Sequence, residues 1–180
     1  TVIPSKFIPH GIGALLALDK DKPLELSLPT ALDVFEDICV GEIAKSVRPF
    51  SIDGGAIIEK GEYIGILNGD VVVGGKDIVE VVLNLIKKGL TDSFELISIY
   101  WSDSIGANLA QEISDAIKGK FEDIDVENFE GNQPIYDLIV SMEWFKIGGI
   151  VKCNNSITFF INSWVITILF AAMLTTLING

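Results

Sequence analysis

The chain has 180 residues, a formal net charge of −12 and 49% hydrophobic residues. This composition suits one folded domain, with or without an appendage, and argues against a disordered chain. The strong acidity and the lack of a basic stripe exclude the usual electrostatic footprint of a nucleic-acid-binding protein. Two cysteines and one histidine provide neither a zinc motif nor a disulfide framework, so we expect a reducing, cytoplasmic setting.

The first 40 residues are expected to complete a fold that begins upstream. Residues 1–3 are predicted to be the end of a buried strand, and no signal-peptide pattern is present. Residues 5–13 are predicted to be a loop because proline and glycine punctuate them, and the apolar run 12–18 starts a helix. After the charged turn 19–23, Thr30 is predicted to cap a helix that ends near Cys39.

Residues 42–75 are predicted to form an antiparallel β-meander. The Asn68-Gly69 pair lies between two apolar runs and favours a tight hairpin, because that turn needs positive φ at both central residues. The β-prone runs are residues 43–48, 56–59, 63–67 and 71–73.

The next 70 residues alternate between helix and strand patterns, which indicates α/β packing. Apolar stripes at helical spacing predict helices over 76–88 and 104–118, and both are expected to cover one face of a mixed sheet. Strands are predicted over residues 94–101, 123–129 and 135–143.

Residues 146–180 differ in composition from the rest of the chain, because they carry Lys146 and Lys152 and no acidic residue. Residues 157–178 have no charged residue and exceed the roughly 18–20 residues that span a bilayer. Three interpretations stay open. The segment is a membrane anchor that leaves the domain in the cytoplasm, or two buried strands or a hydrophobic lid, or unrelated reading-frame sequence.

Three motifs resemble the catalytic subunits of fatty acid kinases, the dihydroxyacetone-kinase-like proteins of Gram-positive bacteria. Residues 2–16 resemble their V-I-P-T-K-T-I-P-Q-G-x-A-A-L-L stretch, with Phe7 in place of Thr and His10 in place of Gln. Residues 46–66 resemble A-V-R-D followed by I-K-K-G-D-Y-I-G-I, with Pro49 where Asp is usual. Residues 131–136 resemble the closing G-G-Q-P-x-Y, with Asn132 in place of the second Gly.

The resemblance implies a non-catalytic C-terminal domain that docks a DegV-like fatty-acid-binding carrier protein. ATP and Mg²⁺ then belong to upstream kinase domains of the same polypeptide, and this chain alone is expected to be inactive, with no cofactor of its own. The implied fold is a partial DegV-like (EDD-type) α/β domain with a mixed sheet, a β-meander and covering helices. Residues 1–30 end an upstream subdomain, residues 31–145 form the C-terminal subdomain, and residues 146–180 are the hydrophobic tail. The alternatives are a DegV-like lipid-binding module and a membrane-tethered protein.

Two groups of residues are candidates for a partner or ligand site. Ser5, Lys6, His10 and Gly11 form a polar stretch after the predicted first strand, which either contacts a partner or shapes a crossover between subdomains. His10 is the only base that titrates near neutral pH, but no nucleophile motif surrounds Ser5.

The second group lies in the other two motifs. Arg48 is the only arginine and is suited to bidentate pairing with a carboxylate, on this chain or on a partner. Gln133 and Tyr136 belong to the 131–136 turn, which either contacts a partner or positions the last strand. The acidic surface is expected to contribute to docking through association rate and salt dependence.

Overall fold

The computed structural model describes residues 2–52, 57–90 and 94–143. The three interpretations of the tail, and the part of the domain division that concerns residues 146–180, lie outside the described residues. The helices are α1 (Ile8–Ala17), α2 (Leu24–Asp37), α3 (Ile78–Gly89) and α4 (Gly106–Lys120). The strands are β1 (Ile38–Lys45), β2 (Phe50–Ser51), β3 (Ile57–Ile58), β4 (Tyr63–Leu67), β5 (Asp70–Gly75), β6 (Leu96–Trp101), β7 (Asp125–Glu130) and β8 (Leu138–Glu143).

Six of these strands form one sheet in the order β5-β4-β1-β8-β6-β7, and β2 pairs with β3 in a separate two-stranded arm. Strands β6 and β7 are parallel, while every other neighbouring pair is antiparallel. The mixed sheet with helices confirms the predicted α/β class. The meander is confirmed as well, because β1, β4 and β5 are consecutive antiparallel neighbours, with the β2–β3 arm inserted between β1 and β4.

The main hydrophobic core lies between one face of the sheet and the helices α3 and α4, as predicted from their apolar stripes. Both helices contribute fully buried side chains that meet inward-facing residues of β1, β6 and β8. Helix α3 begins at a well-formed cap, since the Asp77 carboxylate accepts hydrogen bonds from the N–H groups of Val79 and Glu80 at 2.8 and 3.3 Å. The largest fully buried side chains in this core are Ile43, Val82, Leu85, Ile86, Ile97, Ile99, Ile113, Ile117, Leu138, Val140 and Met142.

The predicted first strand and the loop that follows it are wrong. Residues 2–5 form no strand, and Val2 is 87% exposed. Helix α1 already begins at Ile8 and contains residues that were expected in a loop. Pro9 is compatible with this start, because the N–H groups of the first helical turn have no intrahelical partner, so proline loses no hydrogen bond there.

The predicted start and end of the second helix are also wrong. Helix α2 begins at Leu24, so Pro29 lies inside the helix and Thr30 is not its cap. At the other end, Cys39 belongs to β1, because residues 38–43 pair with β8. Pairing with β8, rather than the local helix signals, therefore decides that Cys39 belongs to a strand and not to the preceding helix.

The Asn68-Gly69 hairpin allows a direct test of backbone conformation. Asn68 has φ 50° and Gly69 has φ 101°, which are the positive values that a type I′ turn requires. The Gly69→Ala variant is expected to lower the free energy of unfolding by about 1–2 kcal/mol, because an L-residue is strained in the left-handed region. Urea denaturation measures the change.

Gly119→Ala is the matched control for this variant. Gly119 lies near the end of α4, and a Cβ added there meets nothing within 4 Å. Alanine at this position is expected to stabilise the protein by up to about 1 kcal/mol. Equal effects of the two substitutions would contradict the assignment of the turn.

Candidate functional site

Four strands of the sheet end at the same edge, which we call the carboxyl edge. Strands β1 and β6 run in one direction because both pair antiparallel to β8, and β7 is parallel to β6. Strand β5 has this direction as well, because β4 pairs antiparallel to both β1 and β5. The carboxyl edge therefore comprises the residues after these strands, namely 46–49, 76–77, 102–105 and 131–137, together with the β2–β3 arm. In open α/β sheets, ligands bind outside the carboxyl ends of the strands.

The carboxyl edge contains Arg48, Gln133 and Tyr136. In the sequence, these residues had in common only that they belong to the motifs described above. The Arg48 side chain is exposed, and its backbone carbonyl accepts a hydrogen bond from the Ser46 hydroxyl at 2.5 Å. Within residues 2–52, 57–90 and 94–143, the ion pairs are Lys22–Asp19 and Lys76–Glu62. Arg48 is in neither, so its guanidinium is available for a carboxylate outside the described part of the chain.

Tyr136 is hydrogen-bonded to the carboxyl group of Glu42. Burial raises the pKa of Glu42, and the hydrogen bond from Tyr136 opposes that shift. Burial also raises the pKa of Tyr136, with the nearby Glu42 carboxylate as a second cause. The pair joins the turn before β8 to the middle of β1, so it sets the position of the exposed residues beside Tyr136.

Gln133 has a structural contact as well as an unused acceptor. Its Nε2 donates to the carbonyl oxygen of Tyr100 at 2.9 Å, which ties the β7–β8 connection to β6. Its Oε1 is buried without a hydrogen-bond partner among the described residues. Asn132, just before it, has φ 53°, a value that asparagine adopts more readily than most residues. These contacts support the interpretation in which this turn positions the last strand.

A hydroxyl–carboxylate chain at the carboxyl edge was missed in the sequence. The Ser104 hydroxyl donates to Asp137 Oδ1 at 2.5 Å, and the Ser102 and Ser104 hydroxyl oxygens are 2.8 Å apart. The backbone N–H of Ser102 also donates to the Asp137 carbonyl at 3.1 Å. The only local signal was Ser-Asp-Ser between a strand and a helix. Without the pairing of β6 with β8, nothing indicated Asp137 as the partner.

Three exposed aliphatic side chains accompany the polar residues of this edge. Val47 follows β1, Ile57 opens β3 and Ile135 precedes β8, with exposures of 83%, 69% and 77%. Isolated apolar residues are common on surfaces, but three at one edge beside an exposed arginine fit a contact surface. We refer to Val47, Arg48, Ile57 and Ile135 as the edge patch.

The first predicted group lies at the other end of β1. His10 is buried, its Nε2 lies 3.1 Å from the carbonyl oxygen of Ile38, and its ring stacks on Phe35 with centroids 5.0 Å apart. It therefore anchors α1 to the start of β1 and to α2. The eight-residue β1 separates this anchor from the carboxyl edge by roughly 23 Å, at about 3.3 Å per residue.

The remaining members of that group share this location. Ser5 is half-buried before α1, Lys6 is exposed, and Gly11 is inside the helix, where its N–H donates to the Phe7 carbonyl at 3.3 Å. The structure does not bring these residues together with Arg48, Gln133 and Tyr136. The seven predicted residues are thus two separate groups.

The face of the sheet opposite the main core, which we call the second face, carries carboxyl and hydroxyl groups at paired positions across four strands. Ser98 pairs with Ser141 and with Glu127, while Ile139 pairs with Glu42 and Tyr100. Among residues 2–52, 57–90 and 94–143, no group of three or more His, Cys, Asp and Glu is placed to hold a metal ion.

Three glutamates on this face have raised pKa values, with burial as the main cause. For Glu127, the charge of Asp125 adds to the effect. For Glu143, a hydrogen bond donated by Ser141 at 2.6 Å lowers the pKa and the charge of Glu127 raises it, but burial outweighs the hydrogen bond. Glu42 is the third. None of the three is in an ion pair that the structure describes.

In the part of the chain that the structure describes, no helix is long and apolar enough to cross a bilayer.

The fold of the chain is similar to that of a DegV family protein. It superposes on a DegV family protein from Eubacterium eligens, loaded with heptadecanoic acid, with a TM-score of 0.50 and 13% identity over 76% of this chain and 56% of that chain. Another neighbour is the Streptococcus pneumoniae fatty acid kinase B3 protein, loaded with linoleic acid, with a TM-score of 0.47 and 13% identity over 70% and 51%. At such identities the likeness shows the fold alone.

The sequence model of the C-terminal domain of FakA-like fatty acid kinase proteins matches residues 1–143. The chain belongs to this family, and its role is related to fatty acid kinases. Protein YloV of Bacillus subtilis is 32% identical over 142 residues, which are 79% of this chain and 26% of that protein. The uncharacterized protein SERP0792 of Staphylococcus epidermidis gives the same identity and coverage. The chain therefore spans about a quarter of the length of these relatives.

Proposed function

We propose that this chain is the non-catalytic C-terminal domain of a fatty acid kinase catalytic subunit, and that it docks a DegV-like fatty-acid-binding carrier protein. Preceding domains of the same polypeptide would bind ATP and Mg²⁺ and transfer the phosphoryl group. Family membership supports the kinase relation. The edge patch is the observation that carries the docking role, because it combines exposed aliphatic side chains with an arginine that has no ion pair among the described residues.

The chemistry of the edge patch indicates what a partner must offer. The fully buried centre of an interface is more apolar than its rim, and arginine is among the residue types enriched at interfaces and at their hot spots. A carboxylate on the partner would pair with Arg48 through two parallel hydrogen bonds. The partner surface should therefore be apolar with at least one acidic residue at its border.

The edge patch is the subject of a binding prediction. Affinity for a fatty-acid-loaded DegV-like carrier from the same genome is to be measured by isothermal titration calorimetry. The Val47→Ser, Ile57→Ser double variant is expected to bind about tenfold more weakly, since each substitution removes buried aliphatic carbons worth about 0.8 kcal/mol apiece and about 1.4 kcal/mol is a factor of ten. Arg48→Ala is expected to reduce the association rate and its dependence on salt, which stopped-flow mixing at several salt concentrations measures.

Lys6→Ala is the matched control, because Lys6 is exposed at the other end of β1. Its binding should equal that of the parent chain. If Lys6→Ala weakens binding while the edge variants do not, the docking surface lies around α1 and the edge patch is the wrong surface.

Lipid extraction distinguishes this role from that of a lipid-binding module. A carrier purified from cells should retain fatty acid at near one molecule per chain, and mass spectrometry detects it. We expect no stoichiometric fatty acid from this chain. Its recovery in stoichiometric amount would replace the docking role with a carrier role.

A further inference from the structure

Helix α1 is apolar on every side, which is unusual for a helix at the surface of a domain. Its sequence, IPHGIGALLA, contains no charged residue. A helix that is hydrophobic all round is normally buried on all sides. Within the described part of the chain, only one side of α1 is well covered.

The covered side of α1 packs on α2 and the start of β1. Pro9, His10 and Ala14 are buried there, and the close approach leaves no room for a larger residue at Gly13. A Cβ at Gly13 would lie 2.6 Å from Ile38 Cδ1 and 2.7 Å from Val34 Cγ1. This side of the helix is therefore fully used by contacts within the chain.

The opposite side of α1 is open by comparison. Ile8, Ile12, Leu15 and Leu16 follow one another at helical spacing, and Leu15 and Leu16 are 47% and 67% exposed. Leu24, which opens α2 just across the turn, is 45% exposed. We call Ile8, Ile12, Leu15, Leu16 and Leu24 the leucine face. An exposed apolar face of this kind marks an interaction surface.

We propose that the leucine face packs against the polypeptide that precedes this domain in proteins of the family. This deepens the proposed function, because it names the surface through which the docking domain is held by the rest of the kinase polypeptide. Two observations favour this occupant. The matching family model describes a C-terminal domain, while the matched relatives carry about three quarters of their length outside the shared stretch. The leucine face is also formed by the first elements of the matched stretch, where a preceding domain connects.

The edge patch is a second exposed apolar surface among the described residues, and it lies at the far end of β1 and carries an arginine. The leucine face carries no charge of its own. An uncharged apolar face is typical of obligate, permanently covered interfaces, whereas complementary charges favour fast association of separate partners. The two surfaces thus fit two different occupants.

Thiol labelling tests the leucine face. Leu16→Cys reports on this face, and Ile57→Cys, which has a similar exposure of 69% against 67%, reports on the edge patch as the control. Each variant is to be made in the 180-residue chain and in the polypeptide extended upstream to the length of the relatives. In the extended form, maleimide labelling of Cys at position 16 is expected to slow by at least about tenfold, because a covered side chain reacts only after local opening. Labelling at position 57 should be unchanged.

Each contrary result points to another occupant. Equal rates at position 16 in the two forms overturn the proposal. Slow labelling in the 180-residue chain that becomes fast on dilution assigns the face to a second copy, and slow labelling at every dilution assigns it to another part of that chain. Because no carrier protein is present, failure here leaves carrier binding at the edge patch unaffected, and the calorimetric test decides that question separately.

Discussion

Replacing Leu85 with alanine is expected to lower the free energy of unfolding by about 3–4 kcal/mol, the cost typical of a buried leucine in a close-packed core. Leu85 is fully buried in α3. Its side chain lies over two glycines of the sheet, since a Cβ at Gly41 would be 2.7 Å from Leu85 Cδ2 and a Cβ at Gly65 would be 3.2 Å from Cδ1. Urea denaturation followed by circular dichroism measures the loss. Leu16→Ala, at an exposed site, should change stability by less than about 0.5 kcal/mol.

A double-mutant cycle makes the Leu85 prediction specific to this packing. Gly41→Ala alone should destabilise the protein, because the added methyl group collides with Leu85. In the Leu85→Ala background the same methyl group enters the vacated space and should destabilise less or even stabilise. The expected coupling is about 1–2 kcal/mol, within the range measured for residues in contact. Additive effects would show that Leu85 does not pack on Gly41.

Elements whose local signals agree with each other were predictable from the sequence. Helix α3 combines an Asp77 cap with a regular apolar stripe, and the Asn68-Gly69 pair lies between two strands rich in β-branched residues. In each case the backbone preference and the burial pattern favour the same structure. The sheet's helices and the meander therefore followed from pattern alone.

The helix expected from residue 12 onward is present as α1, but its start at Ile8 was missed because its glycines have a tertiary explanation. Gly11 and Gly13 looked like loop residues, but Gly13 is small because Ile38 and Val34 approach it closely. His10 looked like a candidate base, but it holds α1 against the Ile38 carbonyl. Glycine and histidine have the same local signature whether they serve a loop, a site or a packed contact, and only the long-range contact distinguishes these cases.

The candidate site was predictable as a set of residues but not as an arrangement. Arg48 and Tyr136 are far apart in the sequence, and the antiparallel pairing of β1 with β8 brings their segments to one edge. The same pairing places Glu42 beside Tyr136. Register between distant strands has no local sequence signal, so the separation of the two predicted groups could be learned only from the sheet.

Buried glutamates on the second face of the sheet lead to the last prediction, which concerns pH. Burial raises the pKa values of Glu42, Glu127 and Glu143 above their ordinary value of 4.5. A glutamate whose pKa is higher in the folded state takes up its proton more readily there than in the unfolded state. Its contribution to stability therefore grows as pH falls through the folded pKa toward 4.5, and it is lost again as pH rises.

We accordingly expect the protein to resist urea better near about pH 5 than near about pH 8, because a larger fraction of these buried carboxyl groups is protonated at the lower pH. Glu143→Gln tests the assignment, because the amide keeps an acceptor for the Ser141 hydroxyl, which donates to Oε1 at 2.6 Å, but removes the buried charge. This variant should be more stable than the parent near neutral pH and should have a smaller pH dependence. Glu112→Gln, at an exposed position of α4, changes the net charge equally and isolates the general effect of reducing the −12 charge. If both variants stabilise the protein to the same extent, overall repulsion rather than burial of Glu143 determines the pH dependence.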